Sequence, residues 1–530
     1  DGTRLPVVVA YRVEGAAYGF RLGAHDPALP VVIDPLLQST YLGGASGAGV
    51  NDLAVHPTTG EVLVAGETGN DFPGTAGGAQ PVGGGAFVAR LNSSLTSLIQ
   101  ATYVGGSGFQ QAHALAIAPG SGEVLVAGIT TATDVPAAAG GAQPAHGGGT
   151  DGFVARLNPT LTALLQSTYF GGGGHEDRIE LDVAGNGEVF LVGTTSSTNL
   201  PGAAGGAQPV HAGGGEDAFV ARLNPALTAL LQTTYAGGSA SDVATAVAVH
   251  PSNGEVFLTG FSDSMNFPGT AGGAQPTARA GDSFVARFNP GLTALLQATY
   301  LGGSSVDYAV ALAVHPTTSD VLVAGSTRSS DFPGTAGGAQ PVLRSGHSDG
   351  FAVRFNSSLT TLLQATYLGG SESDEGFDIG VYPGSGDVML AGWTSSRDFP
   401  GISGGAQPVF GGDESDAFAA RLDSGLTRLI QATYLGGSST DNPQAALVHP
   451  GTGDVFIGGD TRSFDFPATA GGAQDSRRGV FRDAFVARLT ADLSGAGGQT
   501  GAIPALSRPA LALLGVILAS VGVLLLKRIG

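Results

Sequence analysis

Residues 282–303 read D-S-F-V-A-R-F-N-P-G-L-T-A-L-L-Q-A-T-Y-L-G-G. Two short apolar runs, Ser283–Phe288 and Leu295–Tyr300, flank an N-P-G turn and read as antiparallel strands. Both halves of this stretch recur. F-(V/A)-(A/V)-R-(L/F) occurs seven times, with its arginines at Arg90, Arg156, Arg222, Arg287, Arg354, Arg421 and Arg488. A T-Y pair also occurs seven times, with tyrosines at Tyr41, Tyr103, Tyr169, Tyr235, Tyr300, Tyr367 and Tyr434, spaced 62 to 67 residues apart. A third motif, (E/D)-V-(L/F/M)-(L/V/I)-x-G, begins at Glu61, Glu123, Glu188, Glu255, Asp320, Asp387 and Asp454.

In the fourth unit, Ala244–Val249 and Glu255–Thr259 add two strands upstream, making four per unit. V-L-V-A-G and F-V-A-R-L are apolar at nearly every position rather than alternating, which predicts sheets covered on both faces. Seven such units, without any long helical period, predict an all-β, seven-bladed β-propeller of four-stranded antiparallel blades. A β-helix is the competing repeat fold, but its rungs are far shorter than these units. The last unit lacks a T-Y strand, whereas Leu36–Leu42 precedes the first complete unit. That N-terminal strand is expected to complete the seventh blade, closing the ring by strand exchange and leaving no open edge there.

Composition narrows the function. The chain of 530 residues holds 88 Gly and no Cys, and its net charge is −20. Phosphate backbones would be repelled, so no nucleic-acid partner is expected. Disulfides and thiolate metal sites are excluded. The glycines fall in T-Y-x-G-G, G-G-A-Q and after each second strand, where turns and close approach need them.

Residues 36–490 are read as the propeller. Residues 1–35 read as extended segments (Pro6–Val13, Tyr18–Leu22 and Val31–Asp34), expected to be the remnant of a β-rich domain in a mature or truncated product. No charged-then-apolar leader pattern opens them. Residues 491–502 form a Gly-rich linker, and 503–530 a membrane tail. Within it Ala510–Leu526 is 17 uncharged residues followed by Lys527 and Arg528. As a helix this run spans about 26 Å, close to a bilayer core. The basic end places the C-terminus in the cytoplasm, with the propeller outside.

The elements S-T-Y-L-G-G, A-V-A-V-x-P, E-V-x-x-x-G, D-F-P-G-T-A-G-G-A-Q-P and D-A-F-V-A-R-L-N resemble the SBBP-type bacterial β-propeller repeat, from about Asp34 to Leu489. The resemblance implies the propeller fold and a secreted or surface-exposed bacterial protein, and it implies no settled activity. Ile503, Pro504, Ala505, Leu506 and Ser507 resemble the IPTL-type C-terminal sorting signal. That likeness implies processing by an exosortase-like membrane peptidase. Ala505 stands in place of Thr, and Arg508-Pro509-Ala510 where E-W-G is usual.

Candidate chemistry is sparse. An acidic residue enters the first strand of six blades: Asp52, Asp177, Asp242, Asp307, Asp374 and Asp441. These are read as capping turns or pairing with a nearby Arg, with a carboxylate ring near the channel mouth, able to hold Ca²⁺ or a cationic ligand, as the alternative. The seven motif arginines are read as a structural network between strands or blades, with Asp151, Asp217, Asp282, Asp349, Asp416 and Asp483 as partners. His56, His250, His315 and His449 each precede Pro, but Ala118 and Tyr382 replace them elsewhere, which suits a turn position better than a metal site. The long loop between the second and third strands carries Phe72, Phe267, Phe332, Phe399 and Phe466, read as pins onto the blade edge. No G-x-S-x-G, H-E-x-x-H or Walker A loop is present, so no catalytic residue and no resident cofactor is expected.

The leading expectation is a non-enzymatic, extracytoplasmic binding or display module for a glycan or protein partner, working through its loop-rich face. The alternatives are a hydrolase or lyase acting on an extracellular polymer at the channel mouth, and a purely structural surface module. Divergent inward-facing acidic or aromatic residues on a few blades would favour the enzyme.

Overall fold

The computed structural model describes the backbone of residues 9–14 and 17–22, and residues 36–494 apart from 280, 345 and 413. The linker from 495 on, the motif Ile503–Ser507, the apolar run 510–526 and the segment 31–34 lie outside the described residues. Among those described, no helix is long and apolar enough to cross a membrane. Val9–Glu14 and Ala17–Leu22 pair as an antiparallel hairpin, with Tyr11 opposite Phe20.

The two opening motifs are neighbouring strands. Asp282–Phe288 pairs antiparallel with Leu295–Leu301, so Phe284 faces Tyr300 and Arg287 faces Gln297. Val256–Ser262 and then Asp242–Val249 complete that sheet on the inner side. The central two strands of each blade are buried at nearly every residue, the consequence of apolar runs sandwiched between neighbouring blades. Six sheets take four consecutive strands each. The seventh combines Asp441–Val448, Val455–Thr461 and Asp483–Leu489 with Leu36–Leu42, placing Tyr41 opposite Phe485. The ring therefore closes by the strand exchange that the missing seventh T-Y strand requires.

Three interactions repeat around the ring. The motif tyrosines clasp the long loop: in blade four the Tyr300 hydroxyl accepts the Phe267 N–H at 2.8 Å and donates to the Ser264 carbonyl at 2.7 Å. Phe267 itself stacks on Phe284 at 4.3 Å, so the loop phenylalanines do pin the loop. The G-G-A-Q segment then covers the outer strand. Tyr300 N–H donates to the Gln275 carbonyl, and Gln275 N–H to the Thr299 hydroxyl. This leaves the outer strand without a bare edge.

The second interaction links blades. The Ala N–H of G-G-A-Q donates to a Leu carbonyl in the next blade at 2.9 to 3.0 Å, all seven times, including Ala473 to Leu95 across the closure. The third is the arginine set. Arg287 is bidentate to Glu255, and the other six pair likewise with the acid that opens their own second strand, Arg156 more loosely at 3.7 Å from Glu123. Arg156, Arg354, Arg421 and Arg488 also donate to backbone carbonyls of the following blade.

The expected arginine partners are thus corrected. Asp151, Asp217, Asp282, Asp349, Asp416 and Asp483 begin the third strand at its opposite end, fully buried, where Asp282 for instance accepts from Gln275 and the Arg279 N–H. The arginine comes five residues later, one strand-length away, and meets the acid of the neighbouring strand instead.

Candidate binding site at the channel mouth

The loop that enters each blade from the one before and the long loop between its second and third strands share one face and are tied together, as when Ser304 donates to Asp331 at 2.8 Å. The six acids proposed as a ring there do not form one. Asp242, Asp307, Asp374 and Asp441 are fully buried between strands. Asp441 accepts from Gly437 N–H at 2.7 Å, from the Ser463 hydroxyl at 2.9 Å and from Thr461. Asp242 and Asp307 repeat this lock, and Asp374 shares its Gly and Ser donors. Burial pushes Asp307 and Asp441 up to about 6 and Asp374 to about 7, opposed by those donors. Asp177 is exposed. Only Asp52 faces the channel. No group of three or more His, Asp or Glu among the described residues is arranged to hold a metal ion.

Counting from the tyrosine explains the error. Each lock residue follows its motif Tyr by seven positions, where blades two and three carry Gln110 and Glu176, and blade one Ala48. Asp52 lies four residues further on, beyond a β-bulge that re-aims the inner strand. Its true counterparts are Glu180 and Asp378, which stand at the same register on blades three and six.

These three carboxylates line a cavity of about 200 Å³ in the channel, together with Asn51, Phe377 and Gln444. Alanines at the same register (Ala246, Ala311 and Ala445) leave the space they occupy. Asp52 accepts Leu53 N–H at 2.7 Å and Leu115 N–H of the next blade at 2.6 Å. Asp378 likewise accepts Ile379 and Ala446 N–H, both at 2.8 Å. Asp182, lower on blade three, accepts Val183 and Val249. Burial pushes Asp52 up to about 7 and Asp378 and Asp182 to about 6, against these donors. Burial, with Asp52 and Asp378 nearby, also raises Glu180 well above the usual carboxylate range. The first two are stitches between inner strands. The Glu180 side chain makes no hydrogen bond among the described residues.

Above the channel, between blades three and six, a second cavity of about 370 Å³ opens on the loop-rich face. Its floor is apolar: Val243, Val306, Ala309 and Val310. One wall is an aromatic pair, Phe261 and Tyr308, with centroids 4.8 Å apart and planes tilted by 30°. Tyr308 is 47% exposed. Arg178 and Arg328 line the rim with Glu375, the one carboxylate of the cavity, and with Ser326 and Ser348. Arg178 holds φ at +52° on the bulge, a left-handed backbone rare outside Gly.

Here the sevenfold repetition breaks. The second position of the inner strand is Gly49, Gln111, Asp177, Val243, Tyr308, Glu375 and Asn442 in turn, different in every blade. Facing it on the second strand stand Glu67, Ile129, Thr194, Phe261, Ser326, Trp393 and Asp460, again all different. The remaining sequence candidates play structural parts. The Nδ1 atoms of His56, His250, His315 and His449 accept backbone N–H groups of their own turns.

No protein-family model matches the chain, and no curated protein does. Among solved structures it is similar to the hydrazine synthase of Kuenenia stuttgartiensis, at 7% identity and a TM-score of 0.43, covering 78% of this chain and 93% of that one. It is also similar to Sqt1 of Chaetomium thermophilum, at 12% identity and 0.42, over 86% and 98%. A Dos1 propeller matches at 10% identity and 0.42, over 80% and 93%. At these identities and scores the likeness is one of architecture alone.

Proposed function

We propose that this propeller is a non-catalytic binding module that takes a glycan or protein partner into the mouth of its channel. The observation that carries it is the break in repetition. Seven units near-identical in their tyrosine clasps, blade-to-blade hydrogen bonds and ion pairs diverge at the mouth, where an aromatic pair and two arginines border one cavity. A role confined to scaffolding would not call for that divergence. The cavity is lined by a single carboxylate, whereas glycoside hydrolysis ordinarily uses two across the bond. The SBBP-like motifs and the tail 503–530 support an extracytoplasmic bacterial protein, displayed or sorted through its C-terminus by an exosortase-like peptidase.

The polymer-hydrolase reading has one observation of its own, the burial-raised carboxyl of Glu180 beside Asp52 and Asp378. One experiment separates the two. The full chain is screened against a glycan and polysaccharide panel, and every mixture is assayed for released fragments. Retention without release, lost in Tyr308→Ala, is the expected result. Release above the level of a Glu180→Gln control would overturn the non-catalytic reading. Retention unchanged in Tyr308→Ala would remove the mouth as the site.

A further inference from the structure

We infer that the ligand of the mouth cavity is an acidic sugar, a pyranose carrying a carboxylate, presented within a polyuronate chain. The inference rests on the binding reading above and names its ligand class. Three observations combine. Neither the Arg178 nor the Arg328 guanidinium makes a hydrogen bond or ion pair with a described residue, whereas all seven motif arginines are ion-paired. A planar guanidinium fork matches a carboxylate in two hydrogen bonds.

The aromatic pair gives an apolar face of the kind that the C–H side of a pyranose ring covers, and Tyr308 adds a hydroxyl at its edge. Glu375 accepts from ring hydroxyls, and Ser326 and Ser348 can donate or accept there. The volume of about 370 Å³ lies at the small end of ligand pockets, the size for one or two sugar units. A neutral sugar would leave the Arg178 guanidinium unmatched and Arg328 with only the longer-range attraction of Glu375, and a simple anion would leave the aromatic wall bare.

Of the ten propeller arginines outside the seven motif positions, Arg178, Arg279, Arg328, Arg344, Arg397 and Arg428 fall in blades three to six, and Arg462, Arg477, Arg478 and Arg482 in blade seven. Although the whole chain carries −20, its long-range repulsion is screened beyond about 8 Å at physiological ionic strength. Contact with the two rim arginines is then decided locally.

The test uses polygalacturonate and the same polymer methyl-esterified, which keeps the ring and removes the charge. Binding to the full chain is measured by calorimetry at physiological salt, with poly-glutamate as a third probe. The expected result is binding of polygalacturonate at least tenfold tighter than of its ester. Arg328→Ala and Arg178→Ala should each weaken the first about tenfold and leave the second unchanged, while Tyr308→Ala should weaken both. Far-UV circular dichroism and Tm confirm that each variant is folded. Equal affinity for the two polymers, with both lost in Tyr308→Ala, overturns the acidic-sugar inference and leaves the mouth as a glycan site. Poly-glutamate binding with the same arginine dependence overturns the sugar and leaves carboxylate recognition. Binding of none of the three overturns the inference outright. The wider panel screen then decides whether the mouth reading falls with it.

Discussion

Leu292 sits at φ +57° with its side chain fully buried, and its six counterparts repeat the geometry at φ +55° to +61°. An L-residue there carries about 1–2 kcal/mol of strain. Three contacts over-determine it. Asn289 accepts N–H groups from Leu292, Thr293 and Ala294 across the turn. The Leu292 side chain enters the core shared by blades three and four. Its carbonyl receives the Ala207 N–H from blade three. Leu292→Ala should therefore cost about 2–5 kcal/mol by cavity formation. Leu292→Gly loses one more carbon but releases strain, so its stability should fall within about 1 kcal/mol of the Ala variant. Denaturant titration checks this, and a Gly variant much weaker than Ala would refute the strain. The N-P-G-L-T turn is plain in sequence. Which residue takes the left-handed position is not, because Gly291 stands beside it and the choice depends on what the neighbouring blade offers.

At the level of the strand, the strands of blade four extend one to three residues beyond the apolar runs, to Asp242, Ser262, Asp282 and Leu301. Hydropathy alone ends a strand at its first Asp. Here Asp242 is carried into the interior because Ser262, Ser264 and Gly238 satisfy it. The same effect hid the channel acids. Asp242 and Asp52 look alike by type and rough position, and only the constant count of seven from the tyrosine, with the bulge after it, separates a lock from a channel wall. The closing strand was legible because an absence marked it. Deleting Leu36–Leu42 would strip the outer edge of Asp483–Leu489 and expose Phe485, Phe466 and the blade-seven core. The truncated chain should lose its cooperative melt or melt far below the intact chain in calorimetry. An unchanged Tm would show that the ring closes some other way.

For the whole molecule, buried carboxylates set the pH response. Asp52, Asp374 and Asp416 rise to about 7, and Asp182, Asp217, Asp307, Asp378 and Asp441 to about 6, chiefly through burial. Each lies above its unfolded value of about 3.9. The stability such a group contributes is full below about pH 4 and is lost as pH rises through its folded value. Glu188 and Glu255, lowered by their arginines, work the other way and lose stability only as pH falls below the ordinary carboxylate range. Tm should therefore be higher at pH 5 than at pH 8, and Asp52→Asn with Asp378→Asn should shrink that difference. A Tm that rises from pH 5 to pH 8 would contradict the buried-acid assignment.

The same ring raises the functional question at its largest scale: whether recognition uses the sevenfold loops or the one place where symmetry fails. Repeats and patterning made the propeller legible. The mouth was not, because its residues belong to four blades and their divergence emerges only once the strands are in register. Hydrogen exchange on the full chain, with and without a glycan that it retains, answers most directly. Protection confined to the inner-strand entrances of blades three to six, around residues 178, 243–245, 306–310, 326–328 and 375, is the predicted result. Protection spread evenly over the seven G-G-A-Q loops, or lying on the opposite face of short turns, would contradict it.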